Sequence, residues 1–326
     1  MPTGGPTAPY AESYGSRSAV GVAKETAFGT PAVATSYLPM TGCTLDEDPG
    51  LFYPQVMQGQ RDANIYGVYG QDIVSGTVDG PLFPSNGIQL LVYAIGTDAV
   101  TGTVAPYTHT ITQANSLASM TVEKNLGDKQ SQQFFGCRIN QLTLSGQATN
   151  TEATISADVV GQGMAVLDTP TAITVTNEDP FVFAEATVSL LGTAIATVSS
   201  VSIVIANGLV STFTMNGTHY LEYLTPVTLA VTGTIDVVWD SLDDPTYGWY
   251  TKMISQTKGA ISFTLTHPSS GGSVEISLPS CRLSKDTIAP SMTGIITETL
   301  SFTAEYSQTS GYTIQGVVEN SVQTAY

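Results

Sequence analysis

Apolar and polar residues alternate along residues 73–78, 139–144, 153–159, 198–205, 228–238 and 260–266, the period of a strand with one buried face. Shorter runs at 119–123, 183–190, 274–278, 282–288 and 296–306 predict further strands, and one more is expected around 312–317. Only two stretches carry helical spacing. Ile88, Leu91, Val92 and Ile95 share a face behind a cap at Ser85 or Asn86, and Gly96 ends the run. Tyr247, Tyr250, Met253 and Ile254 do the same behind Thr246, ending near Gly259. The strand expected at 41–45 stops at Asp46-Glu47-Asp48-Pro49-Gly50, which reads as an acidic turn. Residues 51–72, rich in Pro, Gln, Gly and Tyr, have no period and predict a long loop. Turns are expected at Gly127-Asp128, at Ala148-Thr149-Asn150 and at Asn207-Gly208. The pattern is that of a mainly β chain.

These elements come twice in one order. Gly50-Leu51, Met57-x-Gly59 and Ser75-Gly76-Thr77-Val78-Asp79 return as Gly208-Leu209, Met215-x-Gly217 and Thr232-Gly233-Thr234-Ile235-Asp236, about 158 positions later. Downstream, Gly136-Cys137-Arg138-Ile139 matches Ser280-Cys281-Arg282-Leu283, and the strand around Ser156 and Asp158 resembles the one around Thr303 and Glu305. Two tandem β-rich modules follow from this repetition, each with one short α-helix. The expected division is an N-terminal arm (1–36), module one (37–163), a connector (164–181), module two (182–306) and a C-terminal tail (307–326). The arm opens with Pro, Gly, Ser and Thr around Tyr10 and Tyr14.

Composition narrows the function. With 326 residues the chain can bury two cores without disulfides, and 42% hydrophobic residues exclude a disordered protein. Ten Lys and Arg stand against 27 Asp and Glu, a net charge of −17 with no basic run. That excludes conventional nucleic-acid binding and attraction to anionic membranes. Neither a signal peptide nor an apolar run of about 18 residues is found, so assembly in a reducing cytoplasm is expected. Cys43, Cys137 and Cys281 form no zinc or redox pattern, and the last two, at equivalent repeat positions, read as small buried residues. His109, His219 and His267 share no spacing with a nucleophile and read as surface or hairpin residues. The acidic turns at 46–48 and 240–244 lack the closing glutamate of a calcium loop. No catalytic, cofactor or metal site is expected.

Gly21-Val22-Ala23-Lys24-Glu25-Thr26-Ala27-Phe28-Gly29-Thr30-Pro31 followed by Tyr37-Leu38-Pro39-Met40 resembles the opening of tail tube proteins (major tail proteins) of long-tailed, non-contractile bacteriophages. The resemblance continues through Gly59-x-Arg61, Gly76-Thr77-Val78-Asp79-Gly80, Leu90-Leu91-x-x-Ala94-Ile95-Gly96, Met120-Thr121-Val122-Glu123-Lys124 and Gly136-Cys137-Arg138-Ile139. It implies tail-tube β-sandwich or barrel modules that pair edge to edge into a continuous β-barrel ring. Rings would stack helically, locked by long loops and terminal arms, around a lumen that passes the genome from capsid to cell. The implied partners are other copies of the chain, a tape measure protein in the lumen, tail terminator and distal tail proteins, and DNA in transit without specific binding. The implied location is the virion tail.

Alternation along strands then nominates lumen-lining positions: Thr77 and Asp79, Ser156 and Asp158, Thr234 and Asp236, Thr303 and Glu305. Neighbouring subunits or solvent could equally face them. Tyr10, Tyr14, Tyr53, Tyr66, Tyr69 and Arg61 are nominated for contacts between rings, the tyrosines lacking the flanking cations that stacking on bases requires. Single-module family members form sixfold rings, so a two-module chain is expected to form a pseudo-sixfold trimer. A hexamer with one decorating module is the alternative. Inner tubes of contractile tails or secretion apparatus share the same physics, and a secreted β-sandwich adhesin is a further alternative.

Overall fold

The computed structural model describes residues 15–127, 129–148, 152–172, 174–267, 271–290, 292 and 294–326. Tyr10, Tyr14 and the turn residues Asp128, Thr149 and Asn150 lie outside them. The first half contains β1 (Ala19–Lys24), β2 (Ser36–Leu38), β3 (Gly42–Cys43), β4 (Asp46–Asp48), β5 (Ile73–Pro81), α1 (Ile88–Ile95), β6 (Gly96–Thr101), β7 (Tyr107–Gln113), β8 (Met120–Asn125), β9 (Ser131–Gln147), β10 (Thr154–Gly161) and β11 (Gly163–Leu167). The second contains β12 (Ala186–Leu190), β13 (Thr193–Ile195), β14 (Val198–Ala206), β15 (Leu209–Thr212), β16 (Tyr223–Pro226), β17 (Ala230–Val238), α2 (Trp249–Ile254), β18 (Gly259–Thr266), β19 (Ser273–Ala289), β20 (Thr297–Ala304) and β21 (Gln315–Asn320). The fold is mainly β, as the patterning predicts.

The 17-residue strands β9 and β19 organise the two halves. The start of β9 pairs with β8 and β11, and its end with β10. The start of β19 pairs with β18 and β21, and its end with β20. A bulge re-aims each strand from one layer to the other, with Asn140 as the extra residue in β9 and Ser284 in β19. The same number of positions separates Asn140 from Ser284 as Cys137 from Cys281. Both cysteines are fully buried, as expected, and burial pushes their thiols up, Cys281 to about 12.

One layer crosses both halves without a break, in the order β4, β5, β10, β9, β14, β17, β20, β19, with β3 beside β4 on β5. Among the described residues this sheet stays open, ending at β3 and β4 on one side and at the end of β19 on the other. The second layer comprises β2, β1, β8, β9, β11 in the first half. In the second half it runs β13, β12, β18, β19, β21, β7, β6. One contiguous core lies between the layers and reaches from Val20 to Val318, enclosing all eight residues of α1.

Several expectations change. Ala19–Lys24, read as arm, is a strand paired to β8 and β2. Its Val20, Gly21, Val22 and Ala23 are all buried, so no alternation marked it. Gly163–Leu167, read as connector, pairs with β9, and Gln315–Asn320, read as tail, pairs with β19 and β7. Asp46–Asp48 is an edge strand on β5 rather than a turn, a place where charge deters indiscriminate pairing. The Glu178 carboxylate accepts the N–H groups of Ser85 and Asn86 ahead of α1, in place of a capping side chain on either residue. Before α2, Asp244 accepts from the N–H groups of Thr246 and Tyr247, so Thr246 is not the cap.

Asn207 joins the halves. Its buried amide donates to Ala94 O at 3.0 Å and to Ile139 O at 2.9 Å, across the β9–β14 ladder. Asn207→Ala would strand both carbonyls, and urea unfolding is expected to show a loss of about 1–3 kcal/mol. A loss of under about 0.5 kcal/mol would mean that water replaces the amide.

Candidate functional site

The long sheet has one face on the core and one turned away from it. Val74, Val78, Ile155, Ala157, Val159, Val231, Ile235, Val237, Leu300 and Phe302 fill the core. Thr77, Asp79, Ser156, Asp158, Thr234, Asp236 and Thr303 therefore share the opposite face, together with Gln141, Thr143, Ser145, Ser202, Thr232 and Ser301. The nominated aspartates are braced across strands. Asp79 accepts from Thr77 Oγ1 at 2.8 Å and from Ser156 Oγ, and Asp236 accepts from Thr299 Oγ1 at 2.6 Å and from Ser200 Oγ. Asp158 accepts from Asn140 Nδ2 at 3.0 Å. Asp46 and Asp48 extend this acidic face at the open edge, where pairing with Ser75 and Ile73 puts them on the same side. Reading 46–48 as a turn had hidden them.

Glu305 differs from the other nominated residues. It lies past the end of β20 and pairs with Lys258 Nζ at 2.6 Å and Arg282 Nε at 3.0 Å. The Lys258 hydrogen bond holds its carboxyl below the usual range.

The two long loops lie side by side. Residues 49–72 are clipped by a Phe52–Val68 bridge, and the second loop carries the β15–β16 ladder in its place. His219 O accepts the Asp72 N–H, His219 Nδ1 lies 2.6 Å from Gly70 O, and Tyr69 packs edge-on against the His219 ring. Tyr53, Tyr66, Tyr69 and Arg61 are exposed on the first loop. Met57 and Met215, at matching repeat positions, are fully exposed, and Tyr223 is exposed on the second loop. The repeated Met-x-Gly signal pointed to these methionines, but only the structure shows that both are bare. Large apolar side chains left exposed on two adjoining loops point to an interaction site.

Buried polar groups elsewhere serve the fold. Glu25, in the Lys-Glu-Thr stretch, accepts from Thr121 Oγ1 at 2.9 Å, Gly136 N at 2.7 Å and Gly29 N at 3.1 Å. Glu123 accepts from Ser131 Oγ and from Thr171 N and Oγ1. His109 is fully buried instead of lying at the surface, held between Asp98 at 2.8 Å and Val322 O at 2.9 Å. His267 is buried against Phe181.

One acidic pair lacks such partners. Asp286 faces the core from the free end of β19, diagonal to Glu298 on β20. Both carboxylate oxygens of Asp286 and Oε1 of Glu298 are buried, and the two carboxyl groups have each other as hydrogen-bond partners in place of hydroxyl or backbone donors. Burial, then the Asp286 carboxylate, pushes Glu298 up to about 8. The folded chain thus holds a proton that the unfolded chain releases, and stability should fall as pH rises from about 4.5 to about 8. Thermal melts of the unassembled chain across that window should show the decline, and Glu298→Gln should flatten it.

An open sheet with a braced polar face, two unpaired edges and apolar loops defines a structural subunit suited to assembly, with no catalytic constellation among the described residues. The chain matches the family model of phage tail tube proteins over residues 15–304 and belongs to that family. No individual curated protein matches it. It is a structural tail tube subunit, a component of the virion tail that self-assembles into a stacked tube.

Proposed function

We propose that the chain arose by internal duplication and forms trimeric, pseudo-sixfold rings of a non-contractile tail, assembled in the host cytoplasm. The β9–β14 ladder carries this reading. There the last strand of the first half's long-sheet set pairs with the first strand of the second half's, Leu142 opposite Ile205 and Leu144 opposite Ile203. The matched bulges and neighbour relations make this a joint between equivalent modules, repeated between chains when β19 of one meets β3 and β4 of the next. Three such joints close the barrel and remove its edges.

The polar face, with its braced aspartates and Ser, Thr and Gln, then lines the lumen, and Thr77, Asp79, Ser156, Asp158, Thr234, Asp236 and Thr303 fall there. The cations that share this face sit beside carboxylates, Arg282 beside Glu305 and Lys285 opposite the next chain's Asp48 by the proposed joint, so phosphates find little to hold them and DNA slides. The tape measure protein fills this lumen before ejection, and terminator and distal tail proteins meet the ends. The paired loops, with Tyr53, Tyr66, Tyr69, Arg61, Met57 and Met215, lock each ring to the next.

Electron microscopy of the purified protein, with symmetry from end-on views and mass per ring, should give hollow tubes of three chains per ring. Six chains per ring would refute the trimer and keep the tube. Met57→Asp with Met215→Asp should leave free rings and abolish stacking, read by sedimentation. Asp79→Lys, Asp158→Lys and Asp236→Lys together should leave tubes assembled but slow DNA ejection, with the delay relieved by salt.

A further inference from the structure

The joint within the chain is a template for the joint between chains, and the two differ in chemistry. The shared bulge aligns Gln141 with Lys285, Leu142 with Asp286 and Leu144 with Ile288. Leu142 pairs with Ala157 and Asp286 with Leu300, which aligns Ile155 with Glu298. On the opposing edge, pairing with β5 and β17 aligns Glu47 with Ile205 and Asp48 with Ala206. Pairing with β9 and β19 aligns Lys124 with Phe263. The internal joint therefore has Leu142, Ile155, Ile205 and Phe263 on its buried side, all in the core. Those four positions are Asp286, Glu298, Glu47 and Lys124 at the joint between copies.

We propose that copies of the chain are joined by an ionic lock in which Asp286, at the open edge of one chain's core and backed by the buried Glu298, faces Lys124 in the cleft beside β3 of the next. This rests on the ring reading above. The cleft, about 650 Å³, is lined by Arg17, Lys124, Val20, Leu38, Met40 and Cys43 and opens beside the unpaired edge. Lys124 Nζ donates to Leu45 O at 2.7 Å, which holds the ammonium at that edge. By the template register Leu45 falls opposite Ile288, next to Asp286 and Glu298. Both carboxylate oxygens of Asp286 are buried, and within the chain their hydrogen-bond partner is the carboxyl of Glu298, so the neighbour's cation would supply the charge partner that this acidic pair lacks. On the other face Lys285 falls opposite the next chain's Asp48, a second complementary pair.

Charges neighbour the lock from every packed element. By the same register Glu47 of the accepting chain falls directly opposite Asp286, with its Oε1 taken by the Met164 N–H, so Lys124 is the cation that offsets Glu47, Asp286 and Glu298 together. Arg282 and Lys258 are held by Glu305, and Lys252 of α2 lies over the Trp249 ring. A like-charge mismatch at such a joint is what stops the wrong edges from pairing. The ionic joint fixes which edge meets which, and the apolar joint stays inside the chain.

The test is a charge exchange in the full chain, read by ring and tube yield in electron microscopy and sedimentation. Asp286→Lys and Lys124→Glu should each cut assembly at least about tenfold, and the double variant should restore it. Raised salt should weaken wild-type assembly and leave the combined variant Asp286→Leu, Glu298→Ile, Glu47→Ile and Lys124→Phe, the apolar joint, unaffected. Asp286→Lys also sets a cation beside Glu298, so its thermal midpoint as an unassembled chain should rise while assembly is lost. A purely structural Asp286 would lower both, which would overturn the lock. Single variants that assemble like the wild type would also overturn it and leave the ring reading standing. Absence of rings from wild type and every variant, even with a nucleating tail tip, would overturn the ring reading itself.

Discussion

A strand edge exposes a row of N–H and C=O groups that must find partners, and this chain is arranged around that requirement. Its long sheet satisfies most of it internally through the β9–β14 ladder, where Leu142, Leu144, Ile203 and Ile205 also close the core. Each such side chain, fully buried, contributes on the order of 1.5–3 kcal/mol. The two halves are therefore not beads on a linker. They share a sheet and a core, and the β6–β7 hairpin of the first half completes the second half's outer layer through β21.

Continuity of the sheet depends on two strands that serve both layers. A flat 17-residue strand could not do so, and the bulges at Asn140 and Ser284 supply the bend. Packing near that bend is tight: a Cβ on Gly161 would come within 2.8 Å of Cys137 Sγ. A small, slightly apolar cysteine fits there and has no reactive role, since burial keeps its thiol protonated.

The same economy governs polar groups. Carboxylates that stay inside the chain, Glu25 and Glu123, are saturated by hydroxyl and backbone donors. Aspartates on the outer face of the sheet are braced by Ser, Thr and Asn across the ladder. Asp286 and Glu298, at the open edge, have only each other's carboxyl groups as side-chain partners.

Strand period, the two helices and the repeated landmarks were legible because a half-buried strand must alternate and a repeated module must repeat its turns. In the structure Thr77, Asp79, Ser156, Asp158, Thr234, Asp236 and Thr303 share one face of the long sheet. Alternation failed where burial is two-sided, as in β1, and where an edge strand is all charge, as in β4. Strand parity could not show that Glu305 is ion-paired beyond the strand end. The sequence by itself determined the β class, the helix positions and which side of each long strand is polar, since these follow from local periodicity. Only the tertiary structure decided that β9 pairs with β14, that β21 returns to β7, and that Asp286 is buried beside Glu298. Those facts depend on which edges meet over long separations, and periodicity says nothing about partners.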